Sequence, residues 1–365
     1  MPELSPLPPG STIGILGAGQ LGRMLVLAAA RLGLKCHIYC DVHGPAMDVA
    51  ATSTIAPYDD YDALSSFAAS IEAATYEFEN VPLACANHLA KLVTLRPGAL
   101  ALEVARDRLA EKTFIAGLGI PVTPFAEVND AASLAALLAQ WQAHTILKTR
   151  LLGYDGKGQI SLSPDSIAEN AFLAIGRQPA VLERRVTFKR EVSVLLVRGA
   201  DGTVDAYDSP ENTHKNGILA RSVIPSGLEP DAAAVVHKHA RRIAEALDYV
   251  GLLTVEMFDL GDSVPIVDRF VVNEIAPRVH NSGHWTIEAC IVSQFENHMR
   301  AVAGWPLGAC SRHSDAEMVN LIGAEVLDWH QLAAEPGAAL HLYNKGDARP
   351  VRKMGHVTRL RAKSD

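Results

Sequence analysis

The chain has 365 residues, 48 % hydrophobic and 20 % charged, the ordinary composition of a soluble globular protein with two or three domains. A formal net charge of -8 gives no electrostatic reason to expect nucleic acid or an anionic membrane surface as a partner. Its five cysteines, Cys36, Cys40, Cys85, Cys290 and Cys310, are odd in number and lack CxxC spacing, which argues against a disulfide framework or zinc knuckle and for a reduced, cytoplasmic protein.

The first Arg is Arg23, so the opening residues carry no basic region and no signal peptide is expected. The apolar run 24–30 is far shorter than the roughly 20 residues that span a bilayer, and no membrane role is expected. Thr12-Ile13-Gly14-Ile15-Leu16 reads as a short strand running into Gly17-Ala18-Gly19-Gln20-Leu21-Gly22 and then an Ala/Leu-rich helix through Leu32. The spacing matches GxGxxG, and Asp41 follows the next strand, Lys35 to Cys40, where a dinucleotide-binding unit keeps an acid for a ribose. A nicotinamide enzyme is therefore one reading. The others are a different phosphate ligand at the helix N-terminus, or a purely structural turn.

Further along, Glu77 and Glu79 follow a strand-like start with period two and so share a face. That face either borders the ligand crevice of an open α/β sheet or is an exposed edge. Arg106 opens a charged helix through Ala116, closed by Gly117 and Gly119; such a helix is usually solvated surface. The strand 145–148 places Lys148 in an apolar run, where a lysine rarely sits without a partner. Gly153-Tyr154-Asp155-Gly156-Lys157-Gly158-Gln159 then describes a mobile loop whose amides and ammonium could fold over phosphates, although it is no Walker loop. A strand ending at Glu183-Arg184-Arg185-Val186 offers backbone to a flat base, and Glu191, opening the next strand, could accept from ribose hydroxyls.

The densest chemistry lies at Asn273-Glu274-Ile275-Ala276-Pro277-Arg278-Val279-His280-Asn281-Ser282-Gly283-His284-Trp285, where an apolar strand ends in polar groups and Pro277 forbids an ordinary continuation. Upstream, residues 252–258 hold one carboxylate, Glu256, in a similar strand, with a turn at Gly261-Asp262-Ser263 between the two. Antiparallel pairing brings Glu256 and Glu274 to one face, where two carboxylates repel unless a cation lies between them. Magnesium suits that oxygen pair, with nucleotide phosphates completing its shell; surface pairing with lysine is the plainer alternative. The linking segment 264–270 is long enough for a bulge or a wide hairpin. Near the C-terminus, Lys345, Arg349, Arg352 and Lys353 cluster before a strand at 357–360 and by themselves read as a solvated basic loop.

Lys148, the 153–159 loop, Glu183 to Val186, Glu191, Glu211-Asn212-Thr213-His214, Glu256 and the 273–285 stretch occur in the order seen in the ATP-grasp superfamily, and nearly the whole chain resembles its branch that carboxylates an aminoimidazole ribonucleotide. The resemblance implies an α/β fold of the α+β ATP-grasp type. Its parts are a Rossmann-like N-terminal domain over 1–110 that binds no nicotinamide, a central ATP-grasp domain over 111–305, and a small C-terminal domain over 306–365. It implies an ATP-dependent carbon-nitrogen ligase of de novo purine biosynthesis, commonly a homodimer. Such an enzyme joins bicarbonate to 5-aminoimidazole ribonucleotide through carboxyphosphate and releases ADP and phosphate.

For ATP the resemblance implies Arg108, Lys148, Gly153 to Gln159, Glu183 to Val186, Glu191, His214, Asn273 and Glu274. For magnesium it implies Glu256 and Glu274. For the ribonucleotide and bicarbonate it implies Gln20, Leu21, Glu77, Glu79, Tyr154, Arg278, Lys345, Arg352 and Lys353, with Arg278, Asp155 and Lys353 closest to the chemistry. Three rivals stand beside this reading. A nicotinamide oxidoreductase leaves the second glycine loop and paired carboxylates unexplained, a non-catalytic nucleotide-binding regulator leaves Glu256, Glu274 and Arg278 unexplained, and a formate-dependent or amine-ligating relative shares the fold.

Overall fold

The computed structural model describes residues 5–153 and 157–364. The N-terminal third builds a five-stranded parallel sheet in the order Thr52–Ile55, Lys35–Cys40, Thr12–Leu16, Ala73–Tyr76, Thr94–Leu95. Its central strands are buried almost throughout, as a parallel sheet covered on both faces requires. Gly17, at φ +106°, turns the first strand into helix Gln20–Arg31, and the carboxyl ends of the sheet face the rest of the molecule.

The charged helix expected from Arg106 to Ala116 runs Arg108–Gly117, and a separate helix, Ala99–Ala105, precedes it. The break falls at Asp107, whose carboxylate accepts from the amides of Leu109 (2.9 Å) and Ala110 (3.4 Å) and thereby starts a new helix. That second helix is also not the surface element its charges suggest. Glu111 and Lys112 are buried within it.

Two antiparallel sheets follow. The smaller orders Phe125–Val128, Ala180–Arg184, Thr145–Thr149 and Gln159–Leu162, with helices Ala131–Trp141 and Ala168–Ala174 closing a core that includes Val128, Leu138, Leu147, Phe172 and Leu182. The larger runs from Phe270–Ala276 at one edge through Gly251–Asp259, Arg190–Arg198, Glu211–Lys215 and Ile218–Ile224. It then continues into Ser314–Ile322, Lys353–Ala362 and Ala338–Leu342, so the C-terminal strands extend the same sheet. The last long strand begins at Lys353 instead of the expected 357.

Alternation along Gly251–Asp259 sends Leu253, Val255 and Met257 toward helix Pro230–Ala246. Leu252, Thr254 and Glu256 take the opposite face, where Leu252 packs with Phe295 and Met299 of helix Gln294–Val302, and this helix meets Gln20–Arg31 of the N-terminal domain. Buried His298 ties the junction, its ring nitrogens 2.8 Å from Thr75 Oγ1 and 3.1 Å from the Leu252 amide. The face carrying Glu256 is thus turned toward the N-terminal sheet. Among the described residues, no helix is long and apolar enough to cross a membrane.

Candidate active site

A cavity of about 730 Å³ opens where the three parts meet. Gln20, Leu21, Glu77 and Glu79 reach it from the parallel sheet, Glu256, Glu274, Arg278 and His280 from the large sheet, and Lys345, Arg352 and Lys353 from the C-terminal strands. Arg108, Glu111, Gly153 and Lys157 close the remaining side.

The N-terminal glycine turn differs from the expected accessible anion cradle. The Gly19 amide donates to Glu77 Oε1 and the Gly22 amide to Glu77 Oε2 at 2.6 Å, so the chain's own carboxylate takes the donors a pyrophosphate would use. A Cβ on Gly17 would lie 2.5 Å from Glu77 Cγ, and one on Gly19 2.7 Å from Glu77 Oε1. The glycines therefore make room for Glu77. Burial raises the Glu77 carboxyl above its ordinary range despite those two amides. Asp41 is exposed, and with the amides occupied the nicotinamide reading loses its physical basis.

Glu79 meets Arg278, whose Nε lies 2.5 Å from Glu79 Oε2. Burial would raise the Glu79 carboxyl, and the guanidinium more than offsets this, holding it below the ordinary range. Arg278 thus bridges the N-terminal domain and the large sheet at the cavity wall.

Glu256 and Glu274 stand directly opposite in the antiparallel register. The link between them is a wide connection, as its length suggested, and a bulge lies beyond it, within the second strand. Met257 pairs with Val272, so Asn273 is the extra residue, and the shift aligns the two carboxylates. Burial, then the Glu274 charge, push the Glu256 carboxyl up to about 7. His280 Nε2 is 3.3 Å from Glu256 Oε1, but burial and neighbouring cations keep that imidazole well below its ordinary value and hence neutral. Arg108 NH1 is 3.2 Å from Glu274 Oε2, and its NH2 donates to the Gly153 carbonyl at 2.9 Å, joining the carboxylate to the start of the glycine loop.

The other nucleotide candidates are dispersed around this cavity. Lys148, which the resemblance implies for ATP, has its Nζ 3.0 Å from Glu183 Oε2, and Lys112 Nζ lies 3.3 Å from the same atom. Burial would raise Glu183, and the two ammonium groups hold it low. Arg184, Arg185 and Val186 line a separate groove with Trp141 and His144, where the Arg184 guanidinium sits 5.9 Å over the Trp141 ring. Glu191 and His214 form an ion pair near Glu256, which raises His214 above its ordinary value although burial opposes it. Asn273 offers its carbonyl to Lys112. Gly158 is in the left-handed region at φ +71°, and Gln159 opens a strand opposite Lys148. Tyr154, Asp155 and Gly156 lie outside the described residues.

Across the cavity Lys345 Nζ donates to the Lys353 carbonyl and Arg352 NH1 to the Lys345 carbonyl, each at 2.9 Å. Backbone acceptors thus hold the Lys345 and Arg352 side chains beside Lys353. Sequence reasoning missed Glu111, which reaches the cavity and is pushed up to about 8 by burial and Glu274, and His280 as a site residue. The only local signal for His280 was its place two residues after Arg278; Glu111 gave none, because an adjacent Glu-Lys pair at a helix start looks like surface.

A small antiparallel sheet beside a larger one that carries paired carboxylates, with a parallel-sheet domain in front, is the arrangement of an ATP-grasp protein. The ATP-grasp domain model matches residues 113–295, the ribonucleotide synthetase preATP-grasp model 11–106, and the phosphoribosylaminoimidazole carboxylase C-terminal model 316–365. The chain is 48 % identical over 361 residues to the N5-carboxyaminoimidazole ribonucleotide synthase of Brucella melitensis, covering 98 % of both proteins. The Staphylococcus aureus N5-carboxyaminoimidazole synthetase complexed with ADP superposes with a TM-score of 0.91 at 34 % identity, covering 97 % of this chain and 94 % of that one. The Aspergillus clavatus enzyme with ADP and 5-aminoimidazole ribonucleotide gives 0.88 at 31 %, covering 97 % and 95 %. The chain belongs to the N5-carboxyaminoimidazole ribonucleotide synthase family.

Proposed function

We propose that the protein carboxylates the amine of 5-aminoimidazole ribonucleotide with bicarbonate, converting ATP to ADP and phosphate, as an ATP-dependent carbon-nitrogen ligase of purine biosynthesis. The observation that carries this reading is the opposition of Glu256 and Glu274 in a cavity that the N-terminal and C-terminal parts also wall. Two facing hard-oxygen donors, one of them raised to about 7 by burial and then by the other's charge, suit a magnesium ion, and Glu256 and Glu274 would hold it. Bound there, it would neutralise charge on the β- and γ-phosphate oxygens.

The remaining roles belong to side chains. A bicarbonate oxygen attacks the γ-phosphorus, the bond to the ADP oxygen breaks, and carboxyphosphate results. The substrate amine then attacks the carboxyl carbon, directly or as released CO2, phosphate leaves, and the amine gives up a proton. Arg278, held in orientation by Glu79, presents a guanidinium to bicarbonate or the transferring group. Lys148 and His214 are assigned to phosphate oxygens, which requires Lys148 to turn from Glu183 when nucleotide enters. Arg108, Asn273, Glu191 and the Glu183 to Val186 backbone take the rest of ATP, and the 153–159 loop is assigned to cover it. Gln20, Leu21, Glu77, Lys345, Arg352 and Lys353 wall the ribonucleotide end, with Lys353 also near the reacting groups, Tyr154 is assigned to the ribonucleotide, and Asp155 is assigned to its amine.

The protein is further proposed to act in the cytoplasm as a homodimer. Five free, buried cysteines fit a reducing compartment. Phosphate release from ATP tests the reaction. It should require both aminoimidazole ribonucleotide and bicarbonate, and release that is indifferent to the ribonucleotide, or supported by formate instead, would overturn the reading.

A further inference from the structure

Helix Arg108–Gly117 lies along the outer edge of strand Phe270–Ala276, where the large sheet ends and backbone groups need partners. The chain before the small sheet begins to meet this need, since Val122 bridges Val272 in parallel and the Pro121 carbonyl accepts the Val272 amide at 2.8 Å. Beyond that bridge two side chains take over. Glu111 Oε1 accepts the Ile275 amide at 2.6 Å, and Lys112 Nζ donates to the Asn273 carbonyl at 3.1 Å. These two groups flank Glu274, one residue to either side. In a parallel pair, one residue's carbonyl and amide bond to the positions on either side of its opposite number. A carboxylate and an ammonium here stand in for that absent residue.

Both groups are almost wholly buried, at 2 % and 1 % exposure, and neither is an idle charge. Lys112 also reaches Glu183 Oε2 at 3.3 Å and Thr123 Oγ1 at 3.1 Å, so one ammonium braces the smaller sheet against the larger beside the cleft. We propose that Glu111 and Lys112 are positioning residues that clamp the edge strand on either side of Glu274 and so aim its carboxylate into the cavity. This rests on the reading of Glu274 as a metal-facing group.

The test compares wild type with Glu111→Leu and Glu111→Gln by calorimetric titration of ADP alone and of ADP with Mn2+, alongside amide exchange at Ile275. Glu111→Leu should accelerate Ile275 exchange and lose about ten- to a hundredfold of the affinity that Mn2+ adds to ADP, while ADP alone binds unchanged. Glu111→Gln keeps an acceptor at Oε1 and should stay within about threefold of wild type. Unchanged exchange in the Leu variant overturns the clamp, as does equal weakening of ADP alone. Loss in the Gln variant as large as in the Leu variant also overturns it, because the carboxylate would then itself meet the ion. If Glu111→Leu does not fold, Glu111→Gln decides by its own figures: a tenfold or greater loss of the Mn2+ gain with Ile275 exchange unchanged overturns the clamp, and a gain within about threefold with Ile275 still protected supports it. A wild-type protein in which Mn2+ adds nothing to ADP affinity overturns the metal reading and the positioning role with it, whereas a clamp failure leaves that wild-type gain intact.

Discussion

Two pairs of carboxylates face the same cavity in opposite electrostatic conditions. Glu77 and Glu79 sit two residues apart and are met by the protein's own donors, two glycine amides for the first and the Arg278 guanidinium for the second. Glu256 and Glu274 come from different strands and face each other, and burial together with the Glu274 charge raises Glu256 to about 7. A pair satisfied from within shapes a wall. Under the proposed function the pair left in mutual repulsion is the one that takes a cation from outside, and burial does not mark it, since the Glu274 side chain is 40 % exposed and that of Glu79 21 %.

The contrast breaks most visibly by substitution. Glu256→Gln or Glu274→Gln removes a charge and nearly preserves volume, so the fold should persist while turnover falls on the order of a hundredfold or more. Steady-state assays across magnesium concentrations check this, and unchanged magnesium dependence in either variant would count against the second pair's role. Arg352→Ala or Lys353→Ala should raise the Michaelis constant for the ribonucleotide about ten- to a hundredfold, the worth of one charge-assisted partner, with that for ATP nearly unmoved. Equal movement of both constants, or of neither, would return these cations to a solvated loop.

Acidity sharpens the comparison. Glu256 is raised from 4.5 to about 7, so the metal-free folded chain holds a proton that the unfolded chain has released between those values. Its stability contribution therefore falls as pH rises through that window, and a cation that must displace the proton binds better over the same rise. ADP affinity in the presence of magnesium should climb by up to about tenfold per pH unit below 7 and level off above it, a slope that Glu256→Gln should abolish. A smaller effect belongs to the first pair. Gly19→Ala forces its Cβ against Glu77 and should cost about 1–3 kcal/mol in urea unfolding, with no change in magnesium dependence. Asp41→Ala should do least: NAD and NADP should leave tryptophan fluorescence without a saturable change in either protein, and micromolar binding lost on substitution would revive the nicotinamide reading.

Much of this was legible in local pattern. Period two put Glu77 and Glu79 together, apolar strands around single carboxylates pointed to an antiparallel hairpin, and its long link announced a bulge or wide turn. The glycine turn was legible as a turn but not for what fills it, because Glu77 lies 58 residues from Gly19 and nothing near the glycines announces it. The charged helix starting near Arg106 was misjudged for the same reason, since adjacent charges at a helix start look alike whether water or a sheet edge meets them.

The sequence by itself determined the elements, their order and the face each carboxylate takes, because backbone sterics and side-chain alternation act over a few neighbouring residues. Only the tertiary structure decided the register that aligns Glu256 with Glu274, the Glu77 plug in the glycine turn, the attachment of Lys148 to Glu183, and the burial of Glu111 against an amide 164 residues away. Those contacts depend on which sheet edges and helix ends packing brings within hydrogen-bond distance, and no pattern confined to one segment carries that information.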